Sequence, residues 1–152
     1  MSFIRPRNSA VDQLRDLGLF RGCTDKQLSR VDSLVCPQDV PAGAVLCRQG
    51  TLGSQTFIIV SGQAEVTIDG VRIATLGPGS FFGEMSVLDR GRRVATVTAL
   101  TPMTLLVLSS QELELLLGDV PKVARHMLAT MGSRLRQADL AFGERSQLIA
   151  TS

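Results

Sequence analysis

The chain has no tryptophan and no tyrosine, and six phenylalanines are its only aromatic side chains. Stacking of a flat ligand on an indole or a phenol is thereby excluded. It has a single histidine, His126, beside Arg125 in a stretch with helical character. A metal centre or a general base needs partners at suitable spacing, and the sequence offers His126 none. It is read as a surface or packing residue. Cysteine is scarce and odd in number: Cys23, Cys36 and Cys47, with no C-x-x-C. A disulfide framework and a zinc site are both excluded, and the three are expected to be small buried or half-buried residues. No apolar run exceeds about five residues, where a membrane span needs about 20. The first ten residues carry arginines but no apolar core of the kind a secretory signal requires. Lysine is nearly absent, at Lys26 and Lys122, and arginine supplies the other basic residues. This imbalance reads as the composition of a GC-rich, bacterial genome. The net charge of +2, from 16 basic and 14 acidic residues, gives no broad surface for nucleic acid or membrane. A cytoplasmic protein is expected.

What is present is the pattern of one globular domain. The 152 residues are enough to bury a core, and a hydrophobic content of 44% argues against disorder. Residues 10–35 read helical, with Val11, Leu14, Leu17 and Phe20 at spacing three. Gly18 and Gly22 break this stripe into a short helix and a tight turn. Thr24 and Gln27 form a capping box for a second helix carrying Leu28, Val31 and Leu34 inward. Pro37 and Pro41 close the segment.

Residues 42–108 read as β. Val45 to Cys47 is a short strand, and Phe57 to Val60 is a core strand. Ala64, Val66 and Ile68 alternate with polar residues, and Asp69-Gly70 marks a two-residue hairpin. Val71, Ile73 and Thr75 return. Val94 to Leu100 and Met103 to Leu108 make a second hairpin. Helix resumes at residue 109 with a second capping box, Ser109 and Glu112. Leu113 and Leu115 to Leu117 are expected to face the β core, Gly118 to cap that helix, and Asp119 to cap the next, with Pro121 in its first turn. Leu128, Met131, Leu135, Ala138 and Phe142 then repeat at three and four. They lie either along the domain's own barrel or along a seam to a second copy or partner. Gly143 is the expected stop. The expected division is a tail at 1–9, a domain at 10–142 and a tail at 143–152.

Residues 80–97 carry the chemistry. Gly83-Glu84 opens a short apolar turn, Arg90, Arg92 and Arg93 follow, and a run of small and β-branched residues begins at Val94. One fixed acid, one permanently charged fork and several backbone N–H groups suit a small anion that also bears hydroxyls. Phe82-Gly83-Glu84, then Met85 to Leu88, then Arg93-Val94-Ala95-Thr96-Val97 resembles the phosphate-binding cassette of the cyclic nucleotide-binding domain, as in catabolite activator proteins and protein kinase A regulatory subunits. Gly50-Thr51-Leu52-Gly53-Ser54, Phe57-Ile58-Ile59 and Gly62 resemble the same family's early glycine signature, with both Gly50 and Gly53 expected at positive φ. The resemblance covers residues 10–142.

It implies a mainly β fold, an eight-stranded antiparallel jelly-roll with N-terminal and C-terminal helices. It implies that Arg93 clamps a cyclic phosphate and that Glu84 accepts from the ribose 2′-hydroxyl. Gly83, Met85, Ser86 and Ala95 are implied to offer backbone N–H groups. Val94 has no hydroxyl for a guanine amino group, which favours cAMP over cGMP, although Thr96 is expected on the same face. Arg90 and Arg92 are expected at the surface, and Arg93 in an exposed loop that contributes little to the core. Phe142, or a Leu or Met of the last helix, is a candidate to cover the base. The implied function is a non-enzymatic sensor, a stand-alone bacterial member of the family, whose C-terminal helix moves on binding. Its partner would be another protein or a second copy. The ten residues after Phe142 leave no room for a DNA-reading domain, although the chain is equally readable as a fragment of a longer protein. The alternative is a jelly-roll interaction module that no longer binds nucleotide. A cupin-type metal enzyme has no ligand set here, and a Ser-His-Asp enzyme has no nucleophile elbow.

Overall fold

The computed structural model describes residues 7–84 and 91–151, with side chains described over 11–84 and 91–137. Helix α1 (Arg7–Arg15), a 3-10 turn (Gly18–Phe20) and helix α2 (Asp25–Leu34) precede eight strands. These are β1 (Cys36–Val40), β2 (Val45–Cys47), β3 (Gln55–Ser61), β4 (Ala64–Ile68), β5 (Val71–Leu76), β6 (Phe81–Phe82), β7 (Thr96–Ala99) and β8 (Met103–Ser109). Helices α3 (Ser110–Asp119) and α4 (Pro121–Thr151) follow. The strands form two four-stranded antiparallel sheets, ordered β1-β8-β3-β6 and β2-β7-β4-β5. This is the expected eight-stranded jelly-roll with helices at both ends.

Two apolar cores explain the strand sequences. Inside the roll, Phe57, Ile59, Phe82, Val97, Leu105 and Val107 pack together. On the opposite face of the first sheet, Ile58, Phe81, Leu106 and Leu108 meet Leu14, Phe20, Leu28, Leu113, Leu116 and Val123 of the helices. Strand β3 is therefore covered on both faces, which is why Phe57 to Val60 is apolar without interruption. Strand β4 of the second sheet is half-buried after Ala64, and its sequence alternates apolar and polar residues. Phe57 stands opposite Phe82 in the ladder, and their rings stack at 4.9 Å.

Both capping boxes form. Thr24 Oγ1 accepts from Gln27 N–H at 3.2 Å while Gln27 Oε1 accepts from Thr24 N–H at 2.8 Å. Ser109 and Glu112 repeat the arrangement at 3.2 and 2.8 Å. The Asp69-Gly70 turn has φ of 51° and 79° at its two residues, as a primed hairpin turn demands.

Several expectations are corrected. Pro37 does not simply end a helix: it lies in β1, opposite Leu106, on an edge strand where a missing N–H is tolerated. Cys36 is exposed on that same edge, whereas Cys47 is buried and Cys23 half-buried. Strand β7 begins at Thr96, two residues later than expected. Helix α3 continues through Gly118 and Asp119 and is closed by Val120, whose N–H bonds the Leu116 carbonyl. Asp119 pairs with Arg30 at 2.8 Å instead of capping α4. Leu115 turns outward, because a helix cannot direct three consecutive residues to one side. Helix α4 passes Gly143 and ends at Thr151, since one glycine lowers helix stability by only about 1 kcal/mol. Its inward face is Val123, Met127 and Met131, while Leu128 and Leu135 are 66% and 64% exposed. The lone histidine packs: His126 Nδ1 lies 2.8 Å from the Leu19 carbonyl. Among the described residues, no helix is long and apolar enough to cross a membrane.

Candidate functional site

A cleft of about 890 Å³ opens beside the second sheet. Val66, Val71, Ile73, Leu76, Phe82 and Val97 give it apolar walls. Gly83, Glu84, Arg93, Val94 and Ala95 line it together. Met85 and Ser86 lie outside the described residues, as do Arg90 and the side chain of Phe142.

Arg93 is held at four points. Its N–H donates to the Thr51 carbonyl at 2.7 Å, and its carbonyl accepts from Gly50 N–H at 2.8 Å. Its Nη1 and Nη2 donate to the carbonyls of Gly83 and Gln55, each at 2.8 Å. The residue is 8% exposed, which corrects the expectation of a loosely held loop arginine. Among the described residues its bonds use two of the five guanidinium N–H donors. The neighbouring Arg92 is exposed, as expected, and donates to the Gly50 carbonyl at 2.9 Å.

Glu84 is 4% exposed. Burial pushes its carboxyl above the usual carboxylate range, against its own backbone hydrogen bond and the charges of Arg134 and Arg93. Its ion-pair partner among the described residues is Arg134 of α4, at 3.3 Å, and not Arg93. Arg134 also donates to the Phe81 carbonyl at 2.9 Å and lies 4.7 Å above the Phe81 ring. Sequence reasoning missed Arg134 and its neighbour at the cleft, Gln137. No local pattern separates Arg134 from Arg125 or Arg136, and only the path of α4 brings it to the acid.

Val94 is 61% exposed at the cleft. Thr96 does not share that surface: its Oγ1 accepts from Gln49 N–H at 3.0 Å, and it does not line the cleft. The expected alternation fails because Val94 lies before the strand begins. Cys47 does line the cleft, and burial pushes its thiol upward, so it is a poor nucleophile. Buried acceptor, buried cationic fork and apolar wall together have the chemistry to receive a small anion with an apolar part and a hydroxyl. Among the described residues no nucleophile and base are paired there.

A receptor of this kind in a jelly-roll flanked by helices defines a class, the small-anion-binding β-roll. The model of the cyclic nucleotide-binding domain matches residues 37–119, and the chain belongs to that family. It is 34% identical over 127 residues to the cyclic AMP receptor protein of Thermus thermophilus, across 80% of this chain and 59% of that protein. It is 37% identical over 112 residues to a cyclic nucleotide-gated potassium channel of Rhizobium etli, across 74% of this chain and 31% of the channel. Among solved structures, the Thermus thermophilus catabolite activator protein superposes with a TM-score of 0.76 at 34% identity, covering 84% of this chain and 62% of that one. A cAMP-binding acyltransferase from Mycobacterium smegmatis superposes with a TM-score of 0.72 at 26% identity, covering 85% of this chain and 41% of the enzyme. The chain thus spans between about a third and three-fifths of the length of these relatives.

Proposed function

We propose that this domain binds cAMP in preference to cGMP, without chemistry, as a cytoplasmic regulatory module whose output is a movement of helix α4. The observation that carries the reading is the pair of buried, opposite charges, Glu84 and Arg93, lining one apolar cleft while not paired with each other. Arg93 offers N–H donors suited to a phosphate, and Glu84 offers an acceptor suited to a ribose hydroxyl. The apolar walls suit a purine. Gly83 and Ala95 border the arginine without bulk, and Met85 and Ser86 complete the proposed cassette. Val94 supports cAMP, because it presents no hydroxyl and Thr96 does not line the cleft. Three free cysteines suit a reducing compartment.

The Arg134–Glu84 ion pair supports the output, since it joins the acid of the cassette to the last helix. A hydroxyl donating to Glu84 competes with Arg134 for the carboxylate and shifts the balance of positions open to α4. The exposed Leu128 and Leu135, seven residues apart, suit a second copy or a protein partner on that helix.

The test is calorimetric titration with cAMP, cGMP and AMP, after unfolding and refolding to strip carried-over ligand. Saturable binding of cAMP, weaker binding of cGMP and none of AMP is expected. Folded, empty protein giving no heat with any of the three would instead identify an interaction module.

A further inference from the structure

Gly50 takes the expected positive φ but Gly53 does not, so a left-handed backbone is not what makes Gly53 a glycine. Its reason for being glycine is spatial. A Cβ on Gly53 would lie 1.9 Å from Arg93 Nε, 2.2 Å from Cζ and 2.4 Å from Nη2. A second glycine crowds the same group: a Cβ on Gly83 would lie 2.6 Å from Arg93 Nη1 and 2.7 Å from the Gln55 carbonyl oxygen. The guanidinium therefore occupies the space that two side chains would have filled.

We propose that Gly53 is a positioning residue for anion capture, the floor of a glycine seat that holds the Arg93 guanidinium against the carbonyls of Gly83 and Gln55. The role in capture rests on the nucleotide-binding reading above; the seat itself does not. Arg93 cannot yield by moving its main chain, because both its N–H and its carbonyl are bonded to residues 50 and 51. Any side chain at Gly53 must swing the guanidinium out of its seat and break its bonds to Gly83 and Gln55. In the seat the guanidinium is tethered by two carbonyls and Arg93 lines the cleft, so capture of an anion needs little further ordering of the side chain. Gly83 is the poorer probe, because its φ of 88° would strain any replacement whatever the space.

The test is Gly53→Ala. Two readouts are taken: cAMP affinity by calorimetry, and the Arg93 Nε–H resonance by side-chain NMR, assigned by its loss in Arg93→Lys. The expected result is a loss of affinity of at least tenfold, with the Arg93 resonance shifted and its exchange with solvent accelerated. An unchanged resonance overturns the seat, whatever happens to affinity. A shifted resonance with unchanged affinity overturns the role in capture. Should wild-type protein bind no cyclic nucleotide, the functional reading and the role in capture fail, while the resonance still decides the seat. Should Gly53→Ala fail to fold, Gly53→Ala/Arg93→Ala is compared with Arg93→Ala by thermal unfolding, and the two should melt alike because the colliding group is gone from both. A double variant clearly less stable than Arg93→Ala overturns the seat.

Discussion

Arg134 of helix α4 donates to the carboxylate of Glu84 across 3.3 Å, and the two side chains are 37% and 5% exposed. The acid is almost wholly withdrawn from water, while its partner reaches the surface. The pair therefore ties a buried group of the cleft to a helix that has solvent on its other side. Glu84 is burdened by desolvation and relieved by charge, so perturbing either residue should be read at the other.

Arg134→Met should push the Glu84 carboxyl further above the usual range, since one of the charges opposing its burial is removed. The expected loss of stability is about 1 kcal/mol, low for a hydrogen bond to a charge because Arg134 is more than one-third exposed. Urea unfolding of both proteins across a pH series checks it. An unchanged pH profile would show that the ion pair does not govern the acid.

Glu84 should also leave a signature of its own. Its folded-state pKa lies above the ordinary 4.5, with burial the largest cause. Folded protein therefore keeps a proton that unfolded chain releases. The stability this group contributes is fully present below the ordinary value and is lost as pH rises through the raised one. Glu84→Gln should flatten that part of the urea midpoint profile. Affinity for cAMP should run the other way, rising with pH as the carboxylate ionises, and 2′-deoxy-cAMP should show no such rise.

Arg93→Ala is expected to abolish cAMP binding and also to destabilise the fold. The carbonyls of Gly83 and Gln55 would each lose a charged donor in a part-buried contact, a change worth about 1 kcal/mol each. Calorimetry with cAMP and thermal unfolding of the same sample separate the two effects. A variant that binds like the wild type would remove Arg93 from the site.

The capping boxes give a prediction independent of function. Thr24→Ala and Ser109→Ala should each lower stability by about 1 kcal/mol. The two caps serve different helices and share no partner, so the double variant should lose the sum. Urea midpoints at constant slope measure this.

How much of this molecule could be read before folding depended on the range of the interaction. Capping boxes, the Asp69-Gly70 hairpin and the uninterrupted apolar run of β3 are consequences of residues within a few positions of one another. They were legible because backbone geometry and hydrophobic period act locally. The short sequence pattern from Gly83 to Val97 was legible in the same way, and with it the jelly-roll family. Strand β1 was not, because Pro37 argues locally against a strand and only the vacant edge beside β8 makes one possible. Strand β6 is two residues long and exists through its pairing with β3.

At the site the division is the same. Glu84 and Arg93 could be named from their neighbours in the chain, but not their burial or their partners. That Arg93 is locked by the carbonyls of Gly83 and Gln55, that Gly53 is glycine for the sake of a guanidinium, and that Arg134 reaches Glu84 all depend on groups far apart in sequence. Sequence by itself determined the strand and helix periods and the chemical types assembled around the cassette, because those follow from local backbone and side-chain preferences. Only the tertiary structure decided which charges meet, which lose their water and which space is left for a ligand, because desolvation and ion pairing depend on distance through the fold and not along the chain.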